Sequence, residues 1–280
     1  DPNKIGQQIS FFFNSHNGFL EEIAKFRAAR KIWATIMKER FGVTNEKAMM
    51  CRFHTQTGGS TLTSEQADNN TVRTTIQALS AVLGGTQSLH TNSRDEALSL
   101  PTNESVKLAL RTQQIIAHET NIINYPDPLG GSYLIEELTE NLVKKTFDLI
   151  DEIDSMGGSI SAIKSGWVEN EISRSAYEYQ KNIDNKNQII VGINKYKDHE
   201  NEQIDTFDID LDSANEQIDS LKLYKDNRDN DSVKMRLNKL KTLAKSDSNI
   251  MPGLIKCVHS KCTLGEMSDT LREVFGDYSL

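Results

Sequence analysis

The feature that most restricts the fold is a repeated alternation of short strand-like runs with helical patterns, extending from the N-terminal region to about His118. Gln8 to Asn14 (QISFFFN) reads as a short, Phe-rich strand. Phe19, Ile23, Phe26, Trp33 and Met37 then recur at spacings of three, four and seven, which is one face of an amphipathic helix over Phe19 to Phe41. Ala28 and Ala29 allow that helix close approach to a sheet, and Gly42 reads as its C-cap. Met49 to Thr57 (MMCRFHTQT) reads as a second strand, and Val72, Ile76, Leu79 and Leu83 follow at helical spacing up to the stop Gly84-Gly85. A third strand, Gln87 to Asn92, and a helix over Ser105 to His118 complete the series. Strand–helix–strand units with short joins imply a parallel sheet, either a barrel or a doubly wound fold. No Gly-rich dinucleotide fingerprint follows any strand, which favours the barrel. Three strands do not close an eight-stranded barrel.

Beyond Tyr125 the pattern changes. The turn-rich loop YPDPLGGS (Tyr125 to Ser132) leads to a long helix through Leu138, Leu142, Leu149, Ile153 and Met156, stopped at Gly157-Gly158. Two helical stretches flank Trp167, and Gln188 to Tyr196 (QIIVGINKY) is strand-like. Lys197 to Asp231 is rich in Asp and Asn and reads as a solvated linker or wrapping arm, with a helix over Ser232 to Lys245. The tail Thr263 to Phe275 reads as a capped amphipathic helix with Ser268 as the capping signal. The division expected is a strand–helix region over 1–125, a helical extension over 126–196, the acidic arm over 197–231 and a C-terminal helical segment over 232–280.

Composition limits the partners. No run approaches eighteen apolar residues, so a membrane span is not expected. The start, DPNKIG, has neither a secretory signal nor an initiator Met, which suggests a processed or partial chain. A net charge of −8 disfavours nucleic acid, although it leaves room for a local cationic pocket. Cys51, Cys257 and Cys262 are odd in number and lack C-x-x-C spacing, so reduced thiols in a cytoplasmic protein are expected.

The strands carry an anomaly. Side chains alternate across a strand, so Arg52, His54 and Gln56 share one face, and Ser88, His90 and Asn92 share another. A packed barrel interior is normally filled with branched apolar residues. Polar faces on neighbouring strands point instead to a wet channel that admits a ligand. Three other readings stay open: a solvent-facing sheet edge, a self-satisfied buried network, and a metal site using His54 and His90. No acidic partner stands beside those histidines, and no G-x-S-x-G elbow supports a Ser-His-Asp triad. Gly58-Gly59 follow the second strand where a parallel barrel gathers its active site, and paired glycines let backbone approach a flat ligand. A helix stop accounts for Gly84-Gly85.

Several long segments resemble one family. FHTQTGGSTLT (Phe53 to Thr63), GGTQSLHTNSRDEALSLP (Gly84 to Pro101) and DPLGGSY (Asp127 to Tyr133) are similar to the large subunit of methylmalonyl-CoA mutases. So are EEIAKFRAARKIWA (Glu21 to Ala34), VGINKY (Val191 to Tyr196) and CTLGEMSDTLREVFGDY (Cys262 to Tyr278), with the acidic arm the weakest part. The resemblance implies an α/β fold: about three C-terminal strands of a (β/α)8 barrel, with their helices, and a mostly helical extension. It also implies adenosylcobalamin, bound mainly through a separate cobalamin domain, and radical isomerisation of an acyl-CoA threaded along the barrel axis. In that family the cofactor carries the difficult chemistry while the protein orients and excludes water.

By the resemblance, Ser10 is a substrate-binding serine, and Gln8 stands where the family has Arg, which removes a positive charge from a coenzyme A contact. Gln56, Gly59, Glu96 and Ser99 fall on cofactor-binding positions, with Ser99 where Ala is usual. Ser60 replaces an aromatic found in some relatives. His54, Ser88, His90 and Asn92 are expected to line the channel, and no metal site is expected. The family's substrate-polarising His and substrate-selecting Tyr and Arg have no counterpart here, nor does the cobalt-ligating D-x-H-x-x-G motif; His118 and His259 sit in no such context. The partners expected are a cobalamin-binding small subunit, the remainder of the barrel in the same or a neighbouring chain, and the acyl-CoA. The isolated chain is expected to be inactive. Within the family, isobutyryl-CoA or 2-hydroxyisobutyryl-CoA mutase is an alternative; outside it, a non-catalytic assembly fragment.

Overall fold

The computed structural model describes residues 1–198, 206–207 and 210–277. Parts of the acidic arm (199–205 and 208–209), and Tyr278 of the C-terminal matching segment, lie outside the described residues. The chain divides into two compact units, Asp1–Phe207 and Asp208–Leu280.

The first unit begins with a short helix α1 (Pro2–Ile5), strand β1 (Phe11–Ser15) and helix α2 (Phe19–Thr35), which runs on through a π turn at Ile36–Arg40. After α3 (Glu46–Met49) come β2 (Phe53–Thr57), α4 (Asn69–Leu83), β3 (Ser88–His90) and α5 (Asn103–Glu119). The strands form one parallel sheet in the order β1-β2-β3, with α2 and α4 as the crossovers. The expected alternation is therefore present, though each strand is shorter than the apolar pattern suggests. Arg52 precedes β2 rather than lying on it, and Gln8, Ser10 and Asn92 also fall outside the strands.

One sheet face packs on the helices. Phe26, Cys51, Phe53 and Ala81 form its buried centre, with Phe11, Phe13, Ala29, Trp33 and Leu89 against them. The Phe26 and Phe53 rings stack at 5.3 Å, and Trp33 meets Phe11 edge-on at 4.9 Å. Phe19 is only half-buried, but Ile23, Phe26 and Met37 of the expected stripe are buried. Gly42 ends the segment with φ +61°, a conformation that favours glycine. Gly84 does more than stop α4: a Cβ there would stand 2.4 Å from Phe26 Cδ2, so core packing requires the glycine. Of the apolar stripe expected on α4, Val72 and Ile76 are exposed and Leu79 and Leu83 half-buried, while Asn70, Thr74, Gln77, Ala78 and Ala81 face inward.

The unit continues with α6 (Tyr133–Ser155), α7 (Ser159–Lys164) and α8 (Trp167–Asp184). Arg27 of α2 holds the preceding loop by bonding Asp127 at 3.0 and 3.1 Å and Glu136 at 2.9 Å. The strand expected at Gln188 to Tyr196 is absent apart from one bridge, Val191 to Lys195. Asn194 explains this, because it bonds the Ile183 and Gln188 carbonyls and the Ile190 N–H and so closes a local turn, with Gly192 at φ +85°.

The second unit is helical: α9 (Leu211–Asp226), α10 (Asn230–Ala244), α11 (Met251–His259) and α12 (Leu264–Phe275). Helix α9 occupies a stretch read from sequence as a solvated arm, and no residue of it is buried. The cap of α12 is Thr263, not Ser268: Thr263 and Glu266 form a reciprocal capping box. Val233, Leu240, Cys257, Cys262 and Met267 make the core. The Cys262 N–H bonds the Cys257 carbonyl at 3.0 Å with Lys261 at φ +64°, so the cysteines are the apolar pair of a helix-ending Schellman turn.

Candidate functional site

Strand register arranges six side chains as a grid on the sheet face opposite the helices. Phe12 lies beside His54 and His54 beside Ser88; one step on, Asn14 lies beside Gln56 and Gln56 beside His90. Phe12 is 65% exposed, Ser88 and His90 are exposed, and His54 and Gln56 are half-buried. The hydrophilic face is thus an open surface, so its polar groups escape the desolvation cost of an apolar interior. His54 Nδ1 hydrogen-bonds the Ser88 hydroxyl, and its ring centre stands 4.9 Å from that of Phe12. Asn92 departs from expectation: it lies past β3 and is buried, so it supports the site from behind rather than lining the face.

The two ends of the grid differ. Gln8 and Ser10 stand exposed before β1. Arg52 is also at this end, but its Nη2 donates to the carbonyls of Gly6 at 3.1 Å, Gln7, and Ile9 at 3.3 Å, which fixes the turn carrying Gln8. Ser10 adjoins Arg52 in the ladder, four residues before Gln56. At about 3.3 Å per residue that is about 13 Å along the face.

At the C-terminal end the loops are held by buried polar groups. Gln77 of α4, 1% exposed, accepts from the Gly58 N–H at 2.9 Å and donates to Asn17 and Thr61 at 2.8 Å each. The Gly58 N–H is shared with the Ser15 carbonyl at 2.8 Å, and the Gln77 carbonyl accepts from the Ser15 hydroxyl at 2.8 Å. Sequence reasoning missed Gln77. The available signal was an amide in register with Thr74, Ala78 and Ala81, the small-residue side of a helix that must lie close to a sheet.

Asn92, 2% exposed, donates its backbone N–H to Thr57 Oγ1 at 2.9 Å. Its Oδ1 accepts from Thr57 Oγ1 at 3.1 Å and Gln56 Nε2 at 3.4 Å. The Asn92 Nδ2 has no partner, and a Cβ on Gly59 would come within 2.6 Å of it. Gly59 thus lies in close approach to the Asn92 amide and has no unusual φ.

Glu96 is exposed, with its Cγ 3.8 Å from that same Cβ position. Ser99 Oγ donates to the Leu100 carbonyl at 2.9 Å and accepts from the Phe207 N–H at 3.3 Å. Asp95 anchors the loop. Burial pushes its carboxyl up, but surrounding donors (the Ser93 hydroxyl, the Thr102 N–H and the Ser105 hydroxyl) hold it below its ordinary value. Only the Thr102 contact, at 3.0 Å, has full hydrogen-bond geometry, and Asp95 Oδ1 and Ser93 Oγ lack a partner.

This arrangement offers a glycine-backed floor flanked by one amide and one exposed carboxylate. Such a set suits a large ligand presenting amide or hydroxyl donors, and the buried Asn92 side chain, its Nδ2 without a hydrogen-bond partner, backs Gly59. Among the described residues, no three His, Cys, Asp or Glu side chains converge as a metal site.

Fold and strand register together define an α/β protein with a small parallel sheet and one open polar face. The family model for methylmalonyl-CoA mutase matches residues 1–277, and the chain belongs to that family. It is 42% identical to the 2-hydroxyisobutanoyl-CoA mutase large subunit of Aquincola tertiaricarbonis, over 99% of this chain and 50% of that protein. It is 42% identical to the probable mitochondrial methylmalonyl-CoA mutase of Caenorhabditis elegans, over 97% of this chain and 37% of that protein. With the human mitochondrial methylmalonyl-CoA mutase the figures are 41%, 99% and 37%. The chain thus spans between about a third and half the length of these relatives, all of which are mutases. Among the described residues no helix is long and apolar enough to cross a membrane.

Proposed function

We infer that this chain is part of the large subunit of an adenosylcobalamin-dependent acyl-CoA mutase, an isomerase that rearranges methylmalonyl-CoA to succinyl-CoA. The observation that carries the reading is the open grid Phe12, His54, Ser88, Asn14, Gln56 and His90, bounded by Ser10 and Gln8 at one end and by Gly59 and Glu96 at the other. It supports a partial barrel wall along which a long thioester lies, with a corrin at the C-terminal mouth.

Adenosylcobalamin, when bound, supplies the homolytic chemistry of the carbon-skeleton change. The chain's own residues position the reactants. Gly58 and Gly59 present backbone, Gln56 and Glu96 hold polar substituents of the cofactor, and Ser99 stands three residues past Glu96 on the same loop. Phe12 gives the flexible thioester arm an apolar contact, and His54 and Ser88 hydrogen-bond its polar atoms. Gln8 and Ser10 receive the coenzyme A end with hydrogen bonds rather than charge. A cobalamin-binding small subunit and the remaining barrel, from the same or a neighbouring polypeptide, complete the site.

The name of the Aquincola relative favours a second substrate, 2-hydroxyisobutyryl-CoA, and isobutyryl-CoA belongs in the same comparison. Assay of the completed assembly with the three acyl-CoAs decides among them. Two variants test the site itself. Glu96→Ala is expected to weaken corrinoid retention about tenfold, or about 1.4 kcal/mol. Ser88→Phe is expected to raise KM for the acyl-CoA and leave corrinoid retention unchanged. Indifference of both ligands to both variants would overturn the reading in favour of an assembly fragment. Turnover by the 280-residue chain with cofactor and substrate alone would show that no further polypeptide is needed.

A further inference from the structure

The inward face of α4 is polar along its length. Asn70, Thr74, Gln77 and Ser80 recur at spacings of four, three and three, and each is at most 2% exposed. A helix packed on a sheet normally presents an apolar stripe there, so each buried polar group in this row is explained by what it holds. Gln77 holds the Gly58 loop, and the Ser80 hydroxyl meets that of Ser15 at 2.9 Å. Asn70, fully buried in the first turn, reaches different loops.

The Asn70 amide uses all of its hydrogen-bonding capacity. Its Oδ1 accepts from the Thr63 N–H at 3.1 Å and from Arg73 Nη1 at 2.7 Å. Its Nδ2 donates to the Thr63 carbonyl at 2.8 Å and to the Arg94 carbonyl at 2.9 Å. A guanidinium only donates, so Arg73 fixes which end of the amide faces each loop. Arg73 is itself held by the Val191 carbonyl at 2.8 Å and the Thr63 hydroxyl at 3.0 Å. Only the amide NH2 can therefore serve the Arg94 carbonyl.

That carbonyl stands two residues before Glu96. On the other flank, Asp95 anchors the same segment to the Thr102 N–H at 3.0 Å, where α5 begins. The Glu96 Cγ lies 3.8 Å from where a Cβ on Gly59 would stand, so rim and floor are nearly in contact. The Arg94 side chain adds ion pairs with Asp68 at 2.6 Å and Glu104 at 3.9 Å, but both carboxylates are exposed. Such pairs contribute little. The buried amide is the firm tie between α4 and the rim.

From this we propose that Asn70 is a positioning residue of the cofactor site: through the Arg94 carbonyl it fixes the Glu96 carboxylate beside the Gly59 floor, without touching the ligand. Gln77 fixes the floor from the same helix face, so α4 sets floor and rim in one frame. The proposal rests on the adenosylcobalamin reading and assigns a residue that reading does not use. None of the Asn70 hydrogen bonds reaches the strand face where the thioester would lie, so acyl-CoA binding is independent of it.

Asn70→Asp tests it, because the variant keeps the size and both accepting contacts, sets its charge against Arg73, and removes the two donations. In the completed assembly it should weaken adenosylcobalamin retention about fivefold and leave the acyl-CoA KM unchanged. In a Glu96→Ala background the same substitution should add nothing, since it acts through Glu96. In the unloaded 280-residue chain, amide exchange at Asp95 and Glu96 should quicken about tenfold while tryptophan fluorescence stays native. Arg73→Met, a half-buried change on the helix flank, frees the amide to turn over and should reproduce both effects should Asn70→Asp not fold. Equal losses of retention with and without Glu96, or unchanged exchange at Glu96, would overturn this proposal alone. A wild-type assembly that retains no corrinoid would overturn it together with the adenosylcobalamin reading.

Discussion

The two units bury different chemistry. Around the ends of β1, β2 and β3 the interior holds Ser15, Thr57, Asn70, Thr74, Gln77, Ser80, Asn92 and Asp95. The α10–α12 cluster buries Val233, Leu240, Ala244, Cys257, Cys262 and Met267, with Thr270 the polar member. A buried polar network contributes less net stability than the same volume of aliphatic packing, because each hydrogen bond replaces one made to water. Its return is geometric. The loops carrying Gly58, Gly59 and Asp95 are held at specified distances, which a ligand surface requires and a helical cluster does not. The helical unit concentrates its polar interactions at helix ends, in the Thr263–Glu266 box and the Arg228–Glu266 pair.

Selective damage can sharpen this contrast, and both tryptophans, Trp33 and Trp167, lie in the first unit, so their fluorescence reports that unit alone. The largest effect is expected from Phe26→Ala, which should destabilise the sheet unit by roughly 3–5 kcal/mol in a fluorescence-monitored urea melt. Next, Gln77→Leu leaves the Gly58 N–H one acceptor short and the Asn17 and Thr61 oxygens unbonded by the amide, at a cost of about 2–3 kcal/mol. It should also speed amide exchange at Gly58 and Gly59; an unchanged exchange rate would break the link between network and loop geometry. Thr263→Ala should cost about 1 kcal/mol, seen as earlier thiol exposure at Cys257 and Cys262 with an unmoved tryptophan transition.

The last effect is one of pH. Hydrogen bonding from Arg228 outweighs burial and, with Thr263, lowers the Glu266 carboxyl from 4.5 to about 2. A carboxyl depressed in the folded state stabilises the fold above its unfolded value, and that contribution is lost as pH falls toward the folded value. The helical unit should therefore lose stability between pH 4.5 and about 2, and Glu266→Gln should flatten the dependence in that window. Burial beside Cys262 pushes the Cys257 thiol up to about 11, so neither heading toward acid nor mild alkali should make it reactive while folded.

Much of the fold was legible. Alternating strand and helix patterns announced a parallel sheet, and the π-extended α2, α5, α6 and the terminal helix fall where apolar spacing put them. The polar strand faces were legible too, because period-two alternation assigns His54 and Gln56 to one side whatever surrounds them. The failures share a cause. Gln188 to Tyr196 has strand composition but is bent by Asn194, whose side chain competes locally for backbone groups. Val72 and Ile76 have core composition yet stand outside, and nothing in their spacing says which side of α4 meets the sheet.

The sequence by itself determined which segments become strands and helices, that the strands run parallel, and the family to which the chain belongs, since these follow from local period, turn chemistry and motif order. Only the tertiary structure decided that Asn92 turns inward against Gly59, that Gln77 ties α4 to the Gly58 loop, and that Gly84 is forced by Phe26. Those outcomes depend on atoms brought together from distant positions. Hydrogen-bond satisfaction and close packing act on such distances, and no periodicity along one chain encodes them.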